Sequence, residues 1–125
     1  MIADIRVKRV YDGASKDDGL RVLVDRIWPR GVTRDQAAVD LWLKEVAPST
    51  ALRRWFGHDP DKWVEFKRRY YEELGQRPES LTHLLESVRV GPVTLVYAAR
   101  DRDHNQAVAL RLYLESFQDR KREPA

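Results

Sequence analysis

The chain contains no cysteine, which removes disulfides, thiolate nucleophiles and every sulfur-ligated zinc site from consideration. It has no long uncharged apolar stretch, so no segment reads as a membrane span. No Gly-x-Gly-x-x-Gly turn, no phosphate-binding Gly-Lys-Ser/Thr loop and no Gly-x-Ser-x-Gly elbow occurs. Familiar nucleotide-dependent and serine-hydrolase mechanisms are therefore disfavoured. His58, His83 and His104 form neither a His-x-x-x-His nor a His-x-His pair, so no metal site is read, and nothing specifies a cofactor. Met1-Ile2-Ala3-Asp4 runs straight into a strand-like pattern, leaving no room for a secretory apolar region, and a cytoplasmic protein is expected.

A large excess of one charge is missing too. There are 23 Lys and Arg against 20 Asp and Glu, a net charge of +3, too mild to argue for nucleic-acid binding alone. Only Asp119-Arg120-Lys121-Arg122-Glu123-Pro124-Ala125 concentrates positive charge. Residues 119–125 read as a basic tail after one domain spanning 1–118. With 125 residues and a hydrophobic fraction of 42%, the chain can build one buried core.

What is present alternates strand and helix patterns. Ile5 to Val10 alternates apolar and basic residues, as an edge strand does. Leu20 to Asp25 is rich in branched aliphatics and bounded by turn residues, which predicts a central strand. Thr33 caps a short helix through Ala38, and Asp40 to Val46 alternates like a third strand. Ser49-Thr50 starts a helix that Gly57 stops, and Asp59-Pro60 starts another. That second helix buries Trp63, Phe66, Tyr70 and Leu74, with Gly75 as its end. Pro78 to Val88 repeats the pattern, and Val93 to Ala99 is a short uncharged run, hence a strand buried on both faces. Asp103 and Gln106 are spaced as a capping box for a last helix with Ala107, Leu110, Leu114 and Phe117 inward. This order predicts a single-domain α/β layered sheet, at least partly parallel, of about four strands flanked by helices with right-handed helical crossovers.

In such a sheet, ligands collect outside the carboxyl ends of the strands. The unusual polar residues fall there. Arg9 follows the first strand, and Asp25, Arg26, Trp28, Arg30 and Gly31 follow the second. Lys44 and Glu45 follow the third, and Arg100, Asp101, His104 and Asn105 follow the last. Guanidinium forks grip carboxylate or phosphate oxygens, although each Arg could equally pair with Asp25 or Asp101 as a structural ion pair. Trp28 could stack on a planar ligand, but a Trp beside Pro reads first as a hydrophobic plug. Gly31 serves a positive φ or a close backbone approach. Neutral imidazoles at His58 or His104, near carboxylates, suit general-base chemistry.

These motifs in order resemble the YeaO-like family, domain-of-unknown-function family 488. They are Lys8-Arg9-Val10-Tyr11, Arg21 through Gly31, Trp42 through Ser49, Leu52 through Pro60, Leu95 through Asp101, and His104-Asn105. The resemblance runs from about residue 5 to 117. It implies a compact α/β domain and assigns neither a reaction nor catalytic residues.

The leading expectation is an enzyme or binder for a phosphorylated or otherwise anionic small molecule. Arg26, Arg30 and Arg100 hold it, with Arg9, Trp28, Gly31, Lys44 and Asn105 around them, and Asp25, Asp101, His58 or His104 transfer protons. The alternative is a nucleic-acid-binding module that uses the basic tail and Lys67-Arg68-Arg69. A third reading has the edge strand pairing with another chain, so both monomer and homodimer stay open. The first expectation requires Arg26 and Arg100 to meet at one pocket.

Overall fold

The computed structural model describes residues 4–122, with side chains through Phe117. Four strands, β1 (Ile5–Arg9), β2 (Leu20–Leu23), β3 (Leu41–Trp42) and β4 (Val93–Tyr97), form one sheet in the order β1-β4-β2-β3. Every pairing is parallel. Five helices accompany them among the described residues: α1 (Arg34–Ala37), α2 (Thr50–Phe56), α3 (Trp63–Gln76), α4 (Thr82–Val90) and α5 (Gln106–Arg122). The protein is a single-domain α/β fold of four strands flanked by helices.

Strand alternation explains the two sides of the sheet. Ile5, Val22, Val24, Val93, Leu95 and Tyr97 join Phe56, Phe66, Tyr70, Leu84, Leu110 and Leu114 in the main core. Leu23 and Val96, one position out of phase, face a smaller cluster with Val10 and Ala37, against which Trp28, Val32 and Trp42 pack. β4 is buried along its whole length, as expected for an uncharged strand paired on both edges. β1 pairs only with β4 and is the edge strand that its alternation predicts.

The smaller face also holds charge. Arg21, inside the strand, is only 3% exposed and Asp18 only 4%. Arg21 donates to Asp18 Oδ2 at 2.6 Å and to the carbonyls of Ala38 and Ala37 at 3.0 and 2.7 Å. Asp18 also accepts from the Ser15 amide at 2.9 Å, its hydroxyl at 3.0 Å and Lys8 Nζ at 3.2 Å. Burial opposes ionisation of Asp18, but the Ser15 amide, the Arg21 guanidinium, the Ser15 hydroxyl and Lys8 together hold its carboxyl well below the usual carboxylate range.

Several sequence expectations are corrected in detail. The third strand spans only Leu41–Trp42, because Lys44–Val46 turns into a 3-10 segment. This turn brings Val46 into the main core, where its carbonyl accepts from the Tyr70 hydroxyl. α3 passes through Gly75 and ends at Gln76. No α-helix joins β1 to β2, only 3-10 turns at Val10–Asp12 and Lys16–Asp18. At the last helix, the Asp103–Gln106 capping box gives way to Asn105, whose Oδ1 accepts from the Val108 amide at 3.0 Å. The basic run from Asp119 lies outside the described side chains, although the α5 backbone continues to Arg122.

Gly19 has φ +63°, and a Cβ there would lie 2.3 Å from the Pro92 carbonyl oxygen. That oxygen accepts from the Leu20 amide at 3.0 Å and cannot retreat without loosening the start of β2. Gly19→Ala should therefore cost about 2 kcal/mol or more in urea denaturation. Asp18→Asn should cost about 3 kcal/mol at neutral pH, because it leaves Arg21 buried without its anion. Since the folded carboxyl is depressed, this advantage of Asp over Asn exists above the ordinary value of 3.8. It should be lost as pH falls below that value, and a difference that stays constant down to acid would refute the assignment.

Candidate functional site

The chain leaves the sheet at the carboxyl ends of β2 and β4 beside a cleft of about 650 Å³. Buried Ala47, Pro48, Phe56 and Phe66, with Ala98 and Ala99, give it an apolar lining. Phe56 and Phe66 stack with centroids 4.3 Å apart, which stiffens that wall. Exposed Arg53, His58 and Arg100, together with Arg26, Asp101 and His104, bring charge and hydrogen-bonding groups to the same cleft.

Asp25 is placed by the sheet register. The Val24 amide donates to the Val96 carbonyl at 3.1 Å, one step beyond the paired residues of β2 and β4. The next step sets Asp25 beside Ala98, whose amide donates to Oδ2 at 3.1 Å. Gln106, the first residue of α5, donates from Nε2 to Oδ1. Burial raises the carboxyl to about 6, against the pull of the Ala98 amide, the Arg53 charge and the Gln106 amide.

Asp101 organises the turn after β4. Its Oδ1 accepts from the amides of Asp103 and His104 at 2.9 and 3.0 Å, and its Oδ2 lies 2.9 Å from His104 Nδ1. The Asp103 amide chiefly holds this carboxyl below its usual value, with burial opposing and the His104 ring and amide assisting. The His104 ring also meets Trp63 edge-on at 5.3 Å. Buried Asn105 donates to the Asp101 carbonyl at 2.9 Å while capping α5, so it is a structural hinge pin between turn and helix. Arg26 donates from Nε to the Pro48 carbonyl at 3.1 Å and from Nη2 to the Ala47 carbonyl at 3.3 Å. Arg53 and Arg100 take part in no salt bridge among the described residues. His58 follows the left-handed Gly57 cap with φ +58°, a strained position for a residue with a Cβ.

A family description, "Inactive DUF488-N3 subclade", matches residues 4–125. The chain belongs to the DUF488 family. It is 40% identical over 114 residues to "Uncharacterized protein YeaO" of Escherichia coli strain K12, covering 91% of this chain and 99% of that protein. It is 44% identical over 106 residues to "Uncharacterized protein Rv3073c" of Mycobacterium tuberculosis strain H37Rv, covering 85% of this chain and 89% of that protein. No solved structure matches the chain. No helix among the described residues of this DUF488 domain is long and apolar enough to cross a membrane.

Of the residues singled out from the sequence, Asp25, Arg26, His58, Arg100, Asp101, His104 and Asn105 line the cleft of this DUF488 domain. Arg26 and Arg100 do share one pocket. Five others lie elsewhere. Arg9 donates to the carbonyls of Ala99 and Ala98 at 2.9 and 3.3 Å, which ties β1 to the exit of β4. Trp28 donates to the Val32 carbonyl at 2.7 Å and packs edge-on against Trp42 at 5.3 Å. It is a plug for the smaller core. Arg30 is exposed and contributes its carbonyl to the Tyr11 hydroxyl, Gly31 supplies φ +76° to the turn, and Lys44 sits over the Trp42 ring at 4.1 Å. The Trp28-Pro29 turn carries the chain toward the smaller face, so residues close in sequence to Asp25 part company with it.

Arg53 and Gln106 escaped sequence reasoning. Arg53 lies in a helix whose spacing advertises only Leu52, Trp55 and Phe56 as its buried face, and Gln106 looked like half of a capping box. Nothing local shows that Gln106 reaches Asp25 across 81 positions.

The raised Asp25 value carries a sign that can be checked. Between 3.8 unfolded and about 6 folded, the native carboxyl holds a proton that the unfolded chain has released. Stability therefore falls as pH rises through that window. Asp25→Asn removes the titration and should gain on wild type by up to roughly 3 kcal/mol between acid and neutral pH in urea melts. A pH-independent gap between the two proteins would contradict the placement of this carboxyl.

Proposed function

We propose that this protein is a non-catalytic receptor for an anionic small molecule of the cytoplasm, held in the cleft by Arg53 and Arg100 beside Arg26. The observation that carries this reading is two exposed guanidinium groups without carboxylate partners among the described residues, beside an apolar cleft of about 650 Å³. Guanidinium suits the task because it stays charged and offers a planar donor fork to phosphate or carboxylate oxygens. The aromatic wall of Phe56 and Phe66 suits an apolar body attached to that anion.

Binding without turnover is favoured by the matching family description, which is that of an inactive subclade. The nucleic-acid alternative loses support from the α3 surface. Arg68 pairs with Glu65 and Glu72, Arg69 pairs with Glu65, and Lys67 sits over the Trp63 ring. Its positive charge is largely offset by its own helix.

Calorimetric titration with phenyl phosphate, benzoate and alkyl phosphonates tests the proposal. The Arg53→Ala/Arg100→Ala double variant should melt like wild type yet bind the best of these anions at least about tenfold more weakly, the loss expected for charge-assisted hydrogen bonds. Identical titrations of the two proteins would remove the proposed site. Salt-steep binding of RNA or DNA that survives the double substitution would favour the nucleic-acid reading instead.

A further inference from the structure

Two aspartates flank β2, Asp18 buried and Asp25 half-buried, and the fold treats them in opposite ways. Asp18 has Arg21, Lys8 and both polar groups of Ser15 around it, and is neutralised within the fold. Asp25 has only two neutral donors, the Ala98 amide and the Gln106 side chain, one on each oxygen. Each carboxylate oxygen carries a second lone pair, and Asp25 lines the cleft. No cation among the described residues forms a salt bridge with it, although Arg53 lines the same cleft and its charge favours the ionised carboxyl.

Structural duty alone does not explain an acid here. An asparagine would accept from the Ala98 amide with its oxygen and donate to the Gln106 carbonyl oxygen once that amide turned over, which keeps both contacts without a buried charge. What an asparagine lacks is a second acceptor oxygen with negative charge facing the cleft. That feature repels an anion placed directly against it and attracts a cationic donor. The guanidinium groups of Arg53 and Arg100 have the opposite preference. One cleft thus offers an acceptor and charged donors beside an apolar lining.

Resting on the anion-receptor reading above, we propose that the ligand is two-ended, an amine-bearing anion whose ammonium group meets Asp25 while its phosphate or carboxylate meets Arg53 and Arg100. The ammonium gives Asp25 the direct ion pair that no described residue provides, and the half-buried setting makes that pairing discriminating. Gln106 and Ala98 keep the carboxylate oriented while it accepts.

A ladder of ω-aminoalkyl phosphonates of increasing chain length, each compared with the alkyl phosphonate lacking the amine, tests this by calorimetry at neutral pH. At the matching length the aminated probe should bind wild type at least about tenfold more tightly than its plain partner, and Asp25→Asn should abolish that preference. Asp25→Asn should bind the plain phosphonate at least as well as wild type does, since it removes a negative charge. A readout on the native protein stands beside the variant. Near pH 6, where the free carboxyl is about half protonated, binding of the aminated probe should release protons, seen as a dependence of the measured heat on buffer ionisation enthalpy. Equal affinity of plain and aminated probes for wild type at every length would overturn the two-ended ligand while leaving the anion receptor standing. If neither series binds wild type, the anion reading falls and this inference falls with it.

Discussion

The parallel pairing of β2 with β4 is the constraint on which the rest of this molecule depends. Leu20 pairs with Val93 and Leu23 with Val96, and the Val24 amide carries the ladder one step further. Because both strands run the same way, their carboxyl ends stop side by side, and the polar residues that end each strand arrive together. A shift of one residue would turn Val22, Val24 and Leu95 away from the main core, so the apolar pattern itself enforces the register. Asp25 and Ala98, far apart in sequence, become hydrogen-bonded neighbours as a direct result.

The smaller face of the sheet and the carboxyl ends of its strands treat buried charge differently. On the smaller face, Asp18 and Arg21 satisfy each other and the nearby backbone. At the strand ends, Asp25 is held by the neutral Ala98 and Gln106 donors, with the Arg53 charge acting on it without a salt bridge among the described residues. Burial acts on both carboxyls in the same direction, and only the partners differ. The cleft thus holds a half-buried acid and guanidinium groups that form no salt bridge among the described residues.

Much of the architecture was legible in residue order. The β-branched run Val93 to Tyr97, the Ser49 and Asp59 helix starts, the Gly57 stop and the Trp63-Phe66-Tyr70-Leu74 stripe all act through neighbours within a few positions. The candidate site was half legible. Polar residues at strand ends announce themselves because a buried strand excludes them, which is why Asp25, Arg26, Arg100 and Asp101 stood out. Arg30 and Lys44 stood out for the same reason and lie elsewhere, since position after a strand does not disclose which way the following turn travels. Trp28 was read first as a plug, and its contacts with Val32 and Trp42 agree.

Composition, period and capping chemistry by themselves determined an α/β domain with its edge strand, its central strands and its amphipathic helices, because each of these is a preference of a short segment. The tertiary structure alone decided that Arg53 from α2 and Gln106 from α5 share the cleft with Asp25. It also decided that Asp18 would be neutralised and Asp25 left open. Those outcomes depend on which side chains converge from distant segments, and on how much water they exclude together, quantities that no local pattern encodes.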